Sequence, residues 1–156
     1  EMGRETMRIF VSACLMGIYC RYDGREKENA AVLALGEKHQ LVPFCPEIYG
    51  GLPTPREPSE IFQGRVRTKS GKDVTAEYEK GAAAAVQVCR MLKCDCAILQ
   101  DRSPSCGAGS VHNGLFDGGL VPGDGVTAAA LKAAGIPVYT AREIQQGALE
   151  KTSFTG

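Results

Sequence analysis

Four short apolar runs recur along this chain, each bounded by polar, Gly or Pro positions. Runs of four to six apolar residues with such boundaries are typical of strands that are buried on both faces of a parallel sheet. The predicted strands are Arg8–Ala13, Leu41–Phe44, Cys96–Leu99 and Ile136–Tyr139.

The segments between these runs carry apolar residues at helical spacing. They predict helices over Glu28–Lys38, Ala76–Leu92 and Val126–Ala134, with Thr75 as a capping residue before the second helix. Strands that alternate with helices in this way predict a single-domain, Rossmann-like α/β fold of three layers with a mostly parallel sheet.

A Gly- and Pro-rich stretch interrupts this alternation over residues 50–58. Three prolines within six residues exclude regular structure there, so we predict a long loop. After it, Arg65–Thr68 and Lys72–Val74 flank a Ser-Gly pair, which predicts a small hairpin.

One domain is expected for 156 residues, a length sufficient to bury a sizeable core. We assign residues 7–146 to this domain. Residues 1–6 are then an extension that is disordered or foreign to the natural protein, and residues 147–156 are a C-terminal tail.

Composition narrows the possible partners. The 18 basic and 18 acidic residues give a formal net charge of zero, and Trp is absent, so there is no strong signal for nucleic-acid binding. No apolar run reaches the roughly 18 residues of a membrane span. We therefore expect a small-molecule substrate and a cytoplasmic location, where thiols stay reduced.

Three of the seven cysteines follow three different predicted strands. Cys14 and Cys45 come directly after the first and second strands, and Cys106 comes a few residues after the third. Because ligands of an open α/β sheet bind outside the carboxyl ends of its strands, we expect these thiols to meet in one crevice.

Three thiolates suit a metal site with one open position. Soft thiolate ligands favour an iron–sulfur cluster, zinc or copper(I), and the wide spacing of these cysteines differs from that of a zinc ribbon or a ferredoxin loop. Three readings remain open on the residues alone: a cluster enzyme, a three-thiolate zinc hydrolase, and a non-enzymatic iron–sulfur carrier or sensor.

Oxygen-bearing side chains accompany two of these cysteines. Glu47 lies two residues after Cys45, where a carboxylate can act as general base for water or simply stabilise the start of a helix. Ser103 and Ser105 flank a proline just before Cys106. A hydroxyl there can donate to a developing anion or serve in a turn.

Six segments together make this chain resemble a known family. They are residues 12–17 (SACLMG), 20–24 (CRYDG), 45–47 (CPE), 50–56 (GGLPTPR), 103–107 (SPSCG) and 125–129 (GVTAA). In this order they resemble the thiouracil desulfidase family, over a span from about Met7 to about Ile144.

The resemblance implies a non-redox enzyme that removes sulfur from a thiolated pyrimidine such as 2-thiouracil, giving uracil and hydrogen sulfide. It implies a four-iron four-sulfur cluster held by Cys14, Cys45 and Cys106, whose open iron binds the substrate sulfur. It assigns Glu47 as the base and a serine of the SPSC segment as its helper, with Ser103 preferred over Ser105.

Four further side chains near these motifs are candidate substrate contacts, and salt bridges between loops are the alternative role for the charged ones: Ser12, Arg21, Asp23 and Arg56. The two histidines, His39 and His112, lack metal-ligand spacing and are predicted at the surface. The turn at residues 123–125 is predicted to start a helix rather than to bind an anion.

Overall fold

In a computed structural model of the protein, which describes residues 6–18, 23 and 28–151, four parallel strands form the centre of the fold. The elements in chain order are β1 (Arg8–Ser12), α1 (Ala30–Ala34), β2 (Gln40–Phe44), α2 (Pro46–Tyr49), β3 (Ser59–Phe62), β4 (Arg65–Thr68), α3 (Thr75–Leu92), β5 (Cys96–Leu99), β6 (Ser110–His112), β7 (Leu120–Pro122), α4 (Val126–Ala133), β8 (Val138–Thr140), α5 (Ala141–Gln145) and α6 (Ala148–Lys151).

The central sheet has the strand order β2-β1-β5-β8. Strand β1 pairs with β2 from Arg8↔Gln40 to Ser12↔Phe44, and on its other side Val11 pairs with Ile98 of β5. The four predicted strands are thus confirmed, each within two residues at either end. Their carboxyl ends lie at one edge of the sheet.

Alternate residues of the strands enter two separate cores, one on each face of the sheet. Ile9 and Ile98 pack on one face with Ile144 of α5, and Phe10 and Leu99 pack on the other with residues of α3 and α4. This alternation follows from the two-residue period of a strand. Helices on both faces give the predicted three layers.

Residues near the C-terminus also join the core. Leu149 of α6 lies within the segment 147–156 and packs against the same face as Ile9. Among the described residues, no helix has the length and apolar character needed to cross a membrane.

The hairpin predicted around Ser70 and Gly71 is formed in part, with one antiparallel bridge between Arg67 and Asp73. The longer pairing of β4, which the sequence did not predict, is antiparallel with β3, through a two-residue turn in which Gln63 and Gly64 both have positive φ, at 51° and 79°. Such a turn matches the twist of a two-stranded ribbon. The segment after Gly71 returns antiparallel along β4, through the bridge between Arg67 and Asp73 and through backbone hydrogen bonds from the Thr68 N–H to the Lys72 carbonyl and from the Val74 N–H to the Val66 carbonyl, both at 2.8 Å.

The capping role predicted for Thr75 is wrong. Val74 is the N-cap residue of α3 and its side chain makes no capping hydrogen bond, whereas the Asp73 carboxylate accepts the Thr75 N–H at 2.9 Å. The Thr75 hydroxyl accepts a hydrogen bond from the Val66 N–H at 2.8 Å. It therefore satisfies a buried donor of β4 instead of a donor of its own helix.

Two glycines bring α2 and α3 into backbone contact. A Cβ atom at Gly81 of α3 would lie 2.0 Å from the Pro46 carbonyl oxygen, and one at Gly50 would lie 2.0 Å from the Glu77 carbonyl oxygen. Both positions therefore require glycine, because any side chain would push the helices apart. This contact fixes the short helix that follows β2.

We predict that Gly81→Ala destabilises the fold by about 2 kcal/mol, since the clash outweighs the gain of about 1 kcal/mol in helix propensity. Denaturant unfolding checks this. The matched control is Gly36→Ala, whose added methyl group would meet only the flexible Leu41 side chain at 3.3 Å. Equal unfolding midpoints for the two variants would contradict the close helix contact.

Candidate functional site

A cavity of about 480 Å³ opens at the carboxyl edge of the sheet. All three predicted cysteines, Cys14, Cys45 and Cys106, line it. They come from three separate parts of the chain, so the parallel sheet brings them together as the sequence predicts.

Local structure explains the positions of the first two cysteines. Cys14 lies in a 3₁₀ turn over Ala13–Met16 that follows β1 directly, and its thiol contacts the Gln100 side-chain oxygen. Cys45 follows β2 with extended backbone angles and is the N-cap residue of α2. Pro46 begins that helix, a position at which proline needs no hydrogen-bond donor.

The loop that carries Cys106 is held on the N-terminus of α4. Carbonyl groups of Pro104, Ser105 and Gly107 accept hydrogen bonds from the first N–H groups of that helix at 2.7–2.8 Å. A Cβ atom at Gly125 would lie 2.5 Å from Ser105. The turn at residues 123–125 thus starts a helix, and the N–H groups of residues 125–127 bind the loop rather than an anion.

Cys106 is buried, with 6% of its surface exposed. Burial raises the pKa of its thiol to about 12, and a hydrogen bond from the Ser12 hydroxyl opposes that rise. The same hydroxyl accepts the Gln100 N–H at 3.0 Å. Ser12 therefore connects the ends of β1 and β5 to a cysteine, besides lining the cavity.

The spacing of these donors bears on the kind of cofactor that fits. Within the described ranges, no three or more His, Cys, Asp or Glu side chains are grouped closely enough to hold a single metal ion. An iron–sulfur cluster binds each cysteine through a different iron atom. Three thiols spread over one cavity wall therefore fit a cluster better than the zinc ion of the alternative interpretation.

Glu47 lies in the first turn of α2 and faces the cavity. Arg56 donates to its Oε1 atom from Nε at 2.9 Å and from Nη2 at 2.8 Å. Both side chains are largely buried, with exposures of 15% for Glu47 and 7% for Arg56. Arg56, a predicted substrate contact, thus lines the cavity and also pairs with the predicted base.

Tyr78 of α3 supports the same carboxylate. It is 2% exposed, and its hydroxyl forms hydrogen bonds with Glu47 and Ser59. Burial and the Glu47 charge raise the pKa of this phenol well above its usual value. It therefore stays protonated and donates to Glu47 at neutral pH.

The two candidate serines differ in position. The Ser103 hydroxyl lines the cavity and accepts N–H groups of Ser105 at 3.2 Å and of Cys106 at 2.6 Å. No acceptor for its own hydrogen lies among the described residues. Ser105 does not line the cavity: it is 1% exposed, and its hydroxyl pairs with that of Thr127 at 2.8 Å.

The other two predicted substrate contacts are Arg21 and Asp23. Arg21 belongs to a motif, residues 20–24, of which the structure describes only Asp23. Asp23 is absent from the described residues that line the cavity.

Sequence reasoning missed several residues of the cavity wall, and His112 is the most informative. Both histidines are predicted at the surface, which is wrong for His39 and holds only in part for His112, which is half-buried. His39 is buried and accepts the Met7 N–H at 3.0 Å. His112 lines the cavity on β6 together with Glu60 of β3. The apolar and polar alternation of these short strands was the available signal, but it does not reveal that two hairpins close over the sheet edge.

Fold and site together define an α/β protein with a three-thiol centre at the carboxyl edge of a parallel sheet. The chain belongs to the 2-thiouracil desulfurase family, which it matches over residues 9–143. It is similar to the solved structure of the [4Fe-4S]-dependent thiouracil desulfidase TudS, with 43% identity, a TM-score of 0.85, and coverage of 92% of this chain and 97% of the other. It is also 41% identical to the Bacillus subtilis (strain 168) protein YbbK, over 87% of this chain and 97% of that protein.

We predict that replacing Cys14, Cys45 or Cys106 with serine removes most of the iron that the protein binds on anaerobic reconstitution, because hard oxygen ligands replace soft thiolates. Iron and acid-labile sulfide analysis measures this. Cys94→Ser is the control, since Cys94 lies just before β5 and does not line the cavity. Full iron binding by all three site variants would contradict the assignment.

Proposed function

We propose that this chain is a thiouracil desulfidase, an enzyme that converts 2-thiouracil and water into uracil and hydrogen sulfide. Family membership and the similarity to TudS support this. The observation on which it rests is that one cavity is lined by three cysteines, a carboxylate and a hydroxyl: Cys14, Cys45, Cys106, Glu47 and Ser103. Water supplies the new oxygen and two hydrogens leave with sulfur, so the reaction needs no electron donor.

Cys14, Cys45 and Cys106 would hold a [4Fe-4S] cluster. When bound, it supplies an iron atom without a protein ligand, a Lewis acid for the thiocarbonyl sulfur. The chain's part is to leave that position open: the described wall offers three cysteine thiols and no fourth.

Glu47 is the proposed base that takes a proton from water as its oxygen attacks the carbon of the thiocarbonyl group. The carboxylate has a defined orientation, since Arg56 and Tyr78 both bind it. An oriented base needs less rearrangement to reach the transition state.

Ser103 is the proposed hydrogen-bond donor that assists Glu47 during the addition of water. Its oxygen is held by two backbone N–H groups while its hydrogen points to no described acceptor. It is therefore free to donate to charge that develops on the substrate during water addition. The pairing of Ser105 with Thr127 favours a supporting role for that serine.

A thio-nucleobase is the proposed substrate form, since the cavity of about 480 Å³ accommodates a small heterocycle. A cytoplasmic location is proposed on chemical grounds, because thiolate ligands for a metal centre require reduced cysteines, which persist best in a reducing compartment.

We expect Glu47→Gln to retain the cluster but to lower sulfide release from 2-thiouracil by about 100-fold or more, the usual contribution of a general base. The anaerobic assay follows sulfide and uracil together. Glu37→Gln, at an exposed position, is the control and should keep full activity. A cluster-loaded Glu47→Gln enzyme with normal turnover would refute this role.

Substitution of the two serines should affect different properties of the enzyme. Ser103→Ala should lower kcat by about tenfold or more through loss of the donor, whereas Ser105→Ala should keep kcat and lose about 1 kcal/mol of stability with its hydrogen bond to Thr127. Steady-state kinetics, unfolding and iron content distinguish these effects. Reversed results would assign the helper role to Ser105.

A further inference from the structure

His112 lies at the end of β6, on a part of the cavity wall that supplies no cysteine. The preceding residue, Val111, forms a parallel bridge with Arg102. One step further along both segments, His112 and Ser103 are therefore neighbours. The ring thus faces the same space as the proposed catalytic hydroxyl.

The two nitrogens of this ring are in different situations. In the described part of the chain, Nδ1 of His112 is the buried side-chain polar atom that lacks a hydrogen-bond partner. The residue as a whole is only partly buried and lines the cavity. The ring nitrogen accessible from the cavity is therefore Nε2.

This arrangement selects one tautomer. In a neutral imidazole one nitrogen donates and the other accepts. A buried N–H without an acceptor is rarer and more costly than a buried lone pair without a donor. The hydrogen is therefore on Nε2, and the ring presents an N–H donor to whatever occupies the cavity.

The wall that carries His112 is joined to β3 by hydrogen bonds and by a close backbone contact. Glu60 Oε1 accepts the Gly114 N–H at 2.9 Å and the Phe116 N–H at 3.1 Å. Gly114 has φ at 89°, and a Cβ atom there would lie 2.6 Å from the Ile61 carbonyl oxygen. The loop that follows His112 is thus fixed to β3, and the donor is held in place before a ligand binds.

We propose that His112 determines specificity by donating a hydrogen bond from Nε2 to the ring carbonyl oxygen that a thio-nucleobase carries in addition to its thiocarbonyl group. This inference rests on the proposed function. It predicts preference for heterocycles with that oxygen over rings that lack it or carry an amino group there, because an unmatched buried donor weakens binding.

Binding of two sulfur-free rings to the anaerobic, cluster-loaded protein tests this apart from turnover. Uracil carries the oxygen in question, and 2-pyrimidinone lacks it. Isothermal titration should show His112→Phe binding uracil about tenfold more weakly than the wild type, the size of one hydrogen bond. Binding of 2-pyrimidinone should not weaken, because the variant no longer holds a donor that this ring leaves unmatched.

Two matched variants distinguish the effect of the hydrogen-bond donor from the effect of packing by the ring. His112→Gln places an amide N–H near the Nε2 position and should recover most of the uracil affinity, whereas His112→Asn places it near the buried Nδ1 and should not. Iron content and unfolding midpoint report whether each variant folds.

Unchanged uracil binding in His112→Phe, or equal losses of affinity in the Gln and Asn variants, would overturn this inference. The proposed function would still stand in that case if the wild-type protein releases sulfide from 2-thiouracil. If the proposed function itself fails, the wild-type protein releases no sulfide from 2-thiouracil.

Discussion

The parallel pairing of β1 with β2 on one side and β5 on the other is the constraint on which the site depends. It places the ends of three strands at one edge, so cysteines far apart in sequence line one cavity. Their register is set by burial on both faces, since a slip of one residue would move Phe10 and Ile9 to the wrong cores. The core that stabilises the fold thereby also positions the thiols.

Backbone contacts outside the sheet make this edge rigid. Gly50 and Gly81 bring α2, which carries Glu47, against α3, which carries Tyr78. The loop before Cys106 binds the first N–H groups of α4. Each chemical group at the site is therefore positioned by an element that is itself packed, which is the condition for a site that functions without large rearrangement.

Prediction from the sequence is most accurate where the hydrophobic period and the positions of the strand ends determine the structure. The buried runs and the cysteines after them predicted the sheet and the shared cavity, and the motif order predicted the family. The failures have physical reasons: the β3–β4 turn uses Gln63 where an Asn-Gly signal is usual, and Thr75 binds the neighbouring strand rather than its own helix. His112 was missed because its role depends on a hairpin folding over the sheet edge, which short-range patterns do not encode.

The sheet edge thus carries three thiols, with an oriented carboxylate and a hydroxyl in the same cavity. The proposed role of the hairpin wall is to bind the ring of the substrate. The most direct test is Mössbauer spectroscopy of the anaerobic protein loaded with the iron isotope that this method detects. Addition of 2-thiouracil should shift the signal of one iron site and leave the others unchanged, since only an iron without a cysteine ligand is open to sulfur. A spectrum in which 2-thiouracil alters no iron site would contradict the three-cysteine centre.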